Sequence, residues 1–83
     1  MKLYNWALQI FAWLLQHVPA EQRRFKLQVY FREGIDPYAC FGVVHISTGY
    51  LRWIKTLDPA DGEYTDMVLA FTLGHEIGHL LRR

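Results

Sequence analysis

The stretch LGHEIGHLL, residues 73–81, places two histidines and a glutamate inside an apolar segment. His75 and His79 are four residues apart, so on an α-helix they lie one above the other on the same face. Two imidazoles arranged in this way can bind one metal ion, and neutral imidazole nitrogen suits zinc at about 2.0–2.1 Å. Glu76 lies about 100° further round the helix, where it can move a proton between water and a leaving amine. The spacing predicts a zinc site with a glutamate as general base and acid.

The residues around this H-E-x-x-H motif favour a helix. The preceding run, residues 67–73, is apolar and contains no proline. An alternative interpretation is a buried helix whose histidines are ordinary core residues. Gly74 and Gly78 argue against it, because glycine in a helix interior costs about 1 kcal/mol relative to alanine. Close packing beside a metal site would explain why both glycines are there.

The motif and its surroundings resemble those of a known group of enzymes. Residues 71–81 are similar to the active-site helix of the gluzincin metallopeptidases, and residues 43–51 resemble a strand and helix start of the CAAX-prenyl-protease-like and HtpX-like peptidases. The short length is similar to that of the minigluzincins, which keep only a catalytic core. The resemblance covers residues 25–83, and its one highly specific part is the H-E-x-x-H helix.

The resemblance implies a site and a reaction. A peptide or protein substrate would pair its backbone with the edge segment Tyr38, Ala39, Cys40 and Phe41, although the asparagine that the family carries there is missing. The third zinc ligand of the family is a glutamate on a helix after the motif, and this sequence has only four residues beyond His79. We therefore expect that ligand from outside the chain or from an oligomer, unless the chain is a fragment or a degenerate relative. The alternative function is a non-catalytic interaction domain that holds zinc weakly or not at all.

Length and composition narrow the class of protein. Eighty-three residues predict a single domain, residues 1–83, and a chain of this size buries only about 60% of its unfolded surface. The apolar fraction of 52% and the aromatic fraction of 16% are typical of a globular protein. A net charge of +1 argues against nucleic acid as a partner. The single cysteine, Cys40, excludes a disulfide framework within the chain.

Residues 2–18 predict an amphipathic helix with one buried face. The expected buried residues are Leu3, Trp6, Ala7, Ile10, Trp13, Leu14 and His17, with His17 capping or packing the end of the helix. Two alternatives are a secretory signal, since Lys2 precedes an apolar stretch, and an anchor at a membrane surface. A polar stripe through Asn5, Gln9 and Gln16 argues against a signal, whose core would be uniformly apolar. Because this stripe is neutral apart from Lys2, it also argues against an anchor. We expect a cytoplasmic protein without membrane association.

The remaining residues predict a small sheet and two more helices. Residues 25–32 alternate as a half-buried strand, residues 38–41 form a short extended piece, and residues 43–47 form another strand. Ser47 or Thr48 would cap a backing helix over residues 49–57, and Asp58 or Asp61 would cap the final helix. This order predicts an α+β fold: a zincin-like core with an N-terminal helix, two or three strands, a backing helix and a central active-site helix that is apolar nearly all round. His45 could be a ligand, but its face of the sheet is not determined by the sequence.

Overall fold

The chain forms one helix, a three-stranded sheet and two further helices, in that order. The computed structural model describes residues 2–34 and 36–82. The elements are α1 (Lys2–Leu15), a 3₁₀ turn (Ala20–Gln22), β1 (Lys26–Tyr30), β2 (Tyr38–Cys40), β3 (Val43–Ser47), α2 (Thr48–Leu57) and α3 (Gly62–Leu81). The α+β class predicted from the sequence is confirmed.

The sheet is mixed, and the last strand in the sequence lies in its middle. The strand order is β1-β3-β2. β1 runs parallel to β3, with Lys26 opposite Val43, and β2 runs antiparallel to β3, with Tyr38 opposite His45. The alternation predicted for residues 25–32 is confirmed within β1, but Phe31 lies beyond the strand and is exposed rather than half-buried. Because β3 lies in the middle of the sheet, β2 is one of its edges.

One face of the sheet is covered by the three helices. Val29, Val44 and Ile46 point from this face into a single apolar core. The helices contribute Ala7, Phe11, Leu51, Ile54, Leu69, Leu73, Ile77 and Leu80 to the same core. Because side chains alternate along a strand, the intervening residues, including His45, lie on the opposite face. We call this second face, which points away from the core, the open face.

The N-terminal helix is amphipathic, as predicted, and most of the predicted face is buried or packs against the core. Ala7 and Phe11 are the buried residues of α1, and Leu14 is half-buried. Trp13, which we expected in the core, is 52% exposed. The buried stripe differs from the predicted one because it includes Phe11 and Leu15 and leaves out Trp13 and His17, which are exposed. Within the described part of the chain, no helix is both long and apolar enough to span a membrane.

The predicted helix caps are present. The Ser47 side chain accepts a hydrogen bond of 3.1 Å from a backbone N–H in the first turn of α2. Asp61 does the same for α3 at 3.0 Å, so it is the cap and Asp58 is not. At the end of α1, Nδ1–H of His17 donates to the carbonyl of Trp13 at 3.1 Å, which is the capping role predicted for it. These contacts satisfy backbone groups that the helices themselves leave unpaired.

The final helix lies against the core, but the expectation that it is buried nearly all round is wrong. Its core-facing residues recur every three or four positions, from Thr65 to Leu80. The opposite side carries large apolar side chains that are exposed, namely Tyr64, Met67, Phe71 and Leu81. The close packing expected at Gly74 and Gly78 is also missing. A Cβ added there would meet only a Leu14 methyl at 3.9 Å and an Arg82 nitrogen at 4.0 Å, which are ordinary contacts.

The loop after β1 packs tightly against the start of α2. The carbonyl of Arg32 accepts a hydrogen bond of 3.0 Å from the backbone N–H of Gly49. Glu33 then forms an ion pair with Arg52 at 2.6 Å. A Cβ at Gly49 would lie 2.8 Å from the Cα of Glu33, which is backbone and cannot move aside alone. A glycine is therefore required where loop and helix meet.

We expect Gly49→Ala to destabilise the protein by about 1–3 kcal/mol, because the added methyl group forces the loop away from α2. The matched control is Gly62→Ala, since a Cβ at this first residue of α3 meets no atom within 4 Å. That change should leave stability unchanged or raise it by a few tenths of a kcal/mol, roughly the gain from better helix propensity. Urea denaturation measures both. Equal stability of the Gly49→Ala protein and the unmodified protein would contradict the tight contact.

Candidate metal centre

α3 brings the two histidines of the motif together near its C-terminal end. Nε2 of His75 and Nε2 of His79 are 3.1 Å apart. Their ring centroids are 4.6 Å apart, and the ring planes are nearly perpendicular at 85°. Two nitrogens that bind one zinc ion at 2.0–2.1 Å with a tetrahedral angle are about 3.3 Å apart. The two nitrogens therefore already have a separation that suits a shared zinc ion.

The histidine pair is accessible from solvent. His75 is exposed and His79 is half-buried. Phe71, one turn before His75, stacks against its ring at a centroid distance of 6.4 Å and is itself 77% exposed. These rings lie on the surface of the domain, so an ion can reach both Nε2 atoms without any opening of the core. This arrangement excludes the alternative in which the histidines are ordinary core residues.

Glu76 is placed beside the pair. Its side chain is half-buried, between the histidine face of α3 and the core face that carries Ile77 and Leu80. Among the described residues, it takes part in no hydrogen bond or ion pair. Its carboxylate is therefore available to a water molecule or a substrate next to the histidines.

A third protein ligand is not found near the pair. No group of three or more His, Cys, Asp and Glu side chains that could hold a metal exists within residues 2–34 and 36–82. His45 and Cys40 lie on the open face of the sheet, away from α3. Asp66 lies on α3 itself, but its carboxylate accepts a hydrogen bond of 2.6 Å from the indole nitrogen of Trp6. The described residues thus supply two nitrogen donors and a neighbouring carboxylate.

The segment predicted to bind substrate forms the edge strand β2 and the turn after it. α3 packs against this strand. Ala39 points into the core, while Tyr38 and Cys40 point to the open face. Within the described part of the chain, the outer side of β2 pairs with no other strand. The four side chains therefore do not form one continuous surface. What the segment offers is the backbone edge of β2, which is unpaired on its outer side within the described part of the chain.

The turn between β2 and β3 has an unusual conformation. Its two residues, Phe41 and Gly42, have φ angles of 51° and 76°. Positive φ at both positions is typical of the type I′ hairpin turn, which strongly favours Asn-Gly. A phenylalanine in this region is strained, and the side chain gains little from packing because it is 94% exposed. Strain that is kept at an exposed aromatic residue is a feature of binding sites.

The open face carries a cluster of aromatic rings that the sequence did not reveal. His45 stacks on Tyr38 with a centroid distance of 4.3 Å and on Tyr30 with a distance of 5.7 Å. A side-chain hydrogen bond with Tyr30 raises the pKa of Tyr38 above its ordinary value, and desolvation by burial makes a smaller contribution in the same direction. Alternation within each strand indicates which residues share a face, but the register between strands brings these rings together. Pairing partners are not visible in the sequence alone.

A concavity of about 370 Å³ is lined by Phe41 and Gly42 of the turn and by Leu80, the residue after His79. Two other concavities lie away from the motif residues. One concavity of about 500 Å³ is lined by residues of the β1–β2 loop and of α2, including Glu33, Tyr50 and Trp53. A groove of about 300 Å³ between α1 and α3 is lined mainly by apolar side chains such as Trp13 and Met67. Neither is lined by His75, Glu76 or His79. The candidate centre is a surface site on α3, the helix that packs against the edge strand β2.

Comparison of the chain with protein families, with curated proteins and with solved structures gave no match.

Proposed function

We propose that this domain is a zinc-dependent peptidase core, with His75 and His79 as metal ligands and Glu76 as general base and acid. The observation that carries the proposal is the 3.1 Å separation of the two Nε2 atoms, next to a carboxylate without a partner among the described residues. The three residues follow the H-E-x-x-H pattern, in which each type of side chain has a defined chemical task.

The three residues have different tasks in the proposed peptide hydrolysis. His75 and His79 would hold the metal through Nε2, and the helix fixes their spacing. Zinc, when bound, supplies the Lewis-acid chemistry that makes water nucleophilic near neutral pH. Glu76 accepts a proton from the attacking water and passes it to the amine that leaves when the peptide bond breaks.

The proposed substrate is an extended peptide or protein segment. The outer edge of β2, at residues 38–40, offers backbone N–H and C=O groups to such a segment. Backbone pairing depends little on side-chain identity, so we propose a broad sequence preference. Phe41, at the exposed turn, would add an apolar contact at one end of the bound peptide. We propose a cytoplasmic setting for this reaction.

The proposal includes an incomplete metal site. Catalytic zinc sites usually have three protein ligands, and the described residues offer two. We propose that the third comes from another polypeptide segment or from a second copy. The 83 residues alone should therefore bind zinc weakly and hydrolyse peptides slowly, because fewer ligands fix the ion.

We expect His75→Ala and His79→Ala each to remove most of the zinc that the protein binds, since a single imidazole on a helix holds the ion poorly. Equilibrium dialysis against zinc followed by metal analysis measures this. The matched control is His17→Ala, which removes a histidine that only caps α1. It should bind as much zinc as the unmodified protein. Full zinc content in both motif variants would exclude the assignment.

A second candidate function is a non-catalytic interaction domain. The observation in its favour is the row of exposed apolar side chains on α3 and α1, including Met67, Phe71 and Trp13. Exposed apolar groups of this size are typical of surfaces that bind another protein. Zinc binding separates the two functions, because an interaction domain of this kind does not require His75 and His79 to hold a metal.

A further inference from the structure

Four side chains on the open face form a second group of reactive residues, independent of the histidine pair. His45 from β3 lies between Tyr30 from β1 and Tyr38 and Cys40 from β2. The imidazole is nearly parallel to both tyrosine rings, with interplanar angles of 11° to Tyr38 and 17° to Tyr30. Stacking on both rings fixes its orientation. We call these four residues the open-face cluster.

Both ring nitrogens of His45 have a partner within the open-face cluster. Nδ1 lies 2.8 Å from the hydroxyl oxygen of Tyr30, which is a hydrogen bond of good length. Nε2 lies 3.7 Å from Sγ of Cys40, within hydrogen-bond reach of sulfur. The three groups thus form a chain that runs from hydroxyl through imidazole to thiol. A base held next to a thiol, and itself oriented by a third group, is the arrangement that activates nucleophiles.

We propose that Cys40 is a nucleophilic thiol, activated by His45, that forms mixed disulfides with low-molecular-weight disulfides. Tyr30 is a positioning residue that orients the imidazole. Cys40 is half-buried at the edge of the sheet, next to the exposed turn at Phe41, so a small disulfide can approach its sulfur. The residues involved lie on the sheet face opposite α3, so the proposal does not depend on zinc or on peptidase activity.

The reaction balances within the two partners. The thiol proton of Cys40 moves to Nε2 of His45, and Nδ1–H of the resulting imidazolium donates to the Tyr30 oxygen. The thiolate attacks one sulfur of the incoming disulfide, a new S–S bond forms, and the old S–S bond breaks. Its electron pair leaves on the second sulfur, which takes up a proton from the imidazolium. Cys40 is oxidised to the mixed disulfide, and the leaving half of the small disulfide is reduced to a free thiol.

The modification should stop at this stage within one chain. Cys40 is the only cysteine of the sequence, so no second thiol of the chain can displace the added group. The product is one adduct per chain, which an external thiol can remove. The same fact simplifies the experiment, because every thiol measurement on this protein reports on Cys40 alone.

The experiment compares the rate at which dithiodipyridine, an aromatic disulfide, reacts with the unmodified protein and with His45→Phe. The phenyl ring keeps the stack between the two tyrosines but lacks both nitrogens. We expect the variant to react about tenfold more slowly in the folded state. In denaturant the two proteins should react at the same rate. His45→Gln should recover part of the rate, since its amide can donate to the thiolate.

Three further proteins complete the comparison. Tyr30→Phe should react a few times more slowly, which keeps the proposal testable should His45→Phe fail to fold. His75→Ala should react at the unmodified rate, which separates this result from the zinc assignment. Oxidised glutathione should add one glutathione per chain by mass spectrometry, and none to Cys40→Ser. Equal rates for folded unmodified protein, His45→Phe and Tyr30→Phe would overturn the proposal.

Discussion

Any zinc-dependent peptide hydrolysis by this protein is expected to fall by about 100- to 10,000-fold in Glu76→Gln, the range that one general acid–base residue contributes. Glutamine has nearly the same shape but cannot accept the proton from water. Because Glu76 flanks the histidine pair without joining it, zinc binding should stay at the unmodified level. The measurement is cleavage of a fluorogenic casein-like peptide at saturating zinc, together with the metal content of the same samples.

The matched control for this change is Glu63→Gln. Glu63 lies on the same helix but in its first exposed turn, far along the axis from the histidines. Its loss should leave the hydrolysis rate unchanged. If the Glu76→Gln protein cleaves at the unmodified rate, another group is the base and the proposed division of tasks is wrong. If zinc disappears together with activity, Glu76 acts as a ligand.

The largest effect on stability is expected from Leu73→Ala, which should destabilise the protein by about 2–5 kcal/mol. Leu73 is fully buried in the core, two residues before His75. Truncating it removes apolar contacts and leaves a cavity between α3 and its neighbours. A domain this small has a total stability of only several kcal/mol, so a large part of the chain population should be unfolded at 37 °C.

Phe71→Ala is the control, since it removes a larger apolar side chain from the same helix. Phe71 is exposed, so its loss should change stability by less than about 0.5 kcal/mol. Urea titrations followed by circular dichroism give both values. Similar losses for the two variants would mean that Phe71 is buried in solution, for example by a second copy of the protein.

The pairing of His75 and His79 was predictable because it is local. A spacing of four residues, a cap at Asp61 and an apolar run are sufficient to place His75 above His79 on one helix, and no distant contact is needed. The same holds for the hairpin strands and for Ser47 as a cap. Such features depend on neighbours in the sequence, whose geometry the backbone already restricts.

The predictions that failed concern features that depend on contacts between residues far apart in the sequence. α1 is apolar on more than one side, so its sequence pattern did not show that Phe11 is buried and that Trp13 is exposed. The two buried residues of α1 are Ala7, which was predicted, and Phe11, which was not. The open-face cluster was missed for the same reason. His45 meets Tyr30 only because β1 pairs with β3 in one particular register.

The position of β3 in the middle of the sheet has a consequence for how the domain folds. β2 and β3 are joined by a two-residue turn, so their pairing closes a very short loop, and hairpins of this kind form in about 1–10 μs. The β1–β3 ladder closes a loop that contains all of β2, with a larger entropy loss. We expect the hairpin to form first and β1 to add to its free side afterwards. The strained backbone of Phe41 lies at the tip of that hairpin, so we expect a substitution at this exposed residue to change the folding rate.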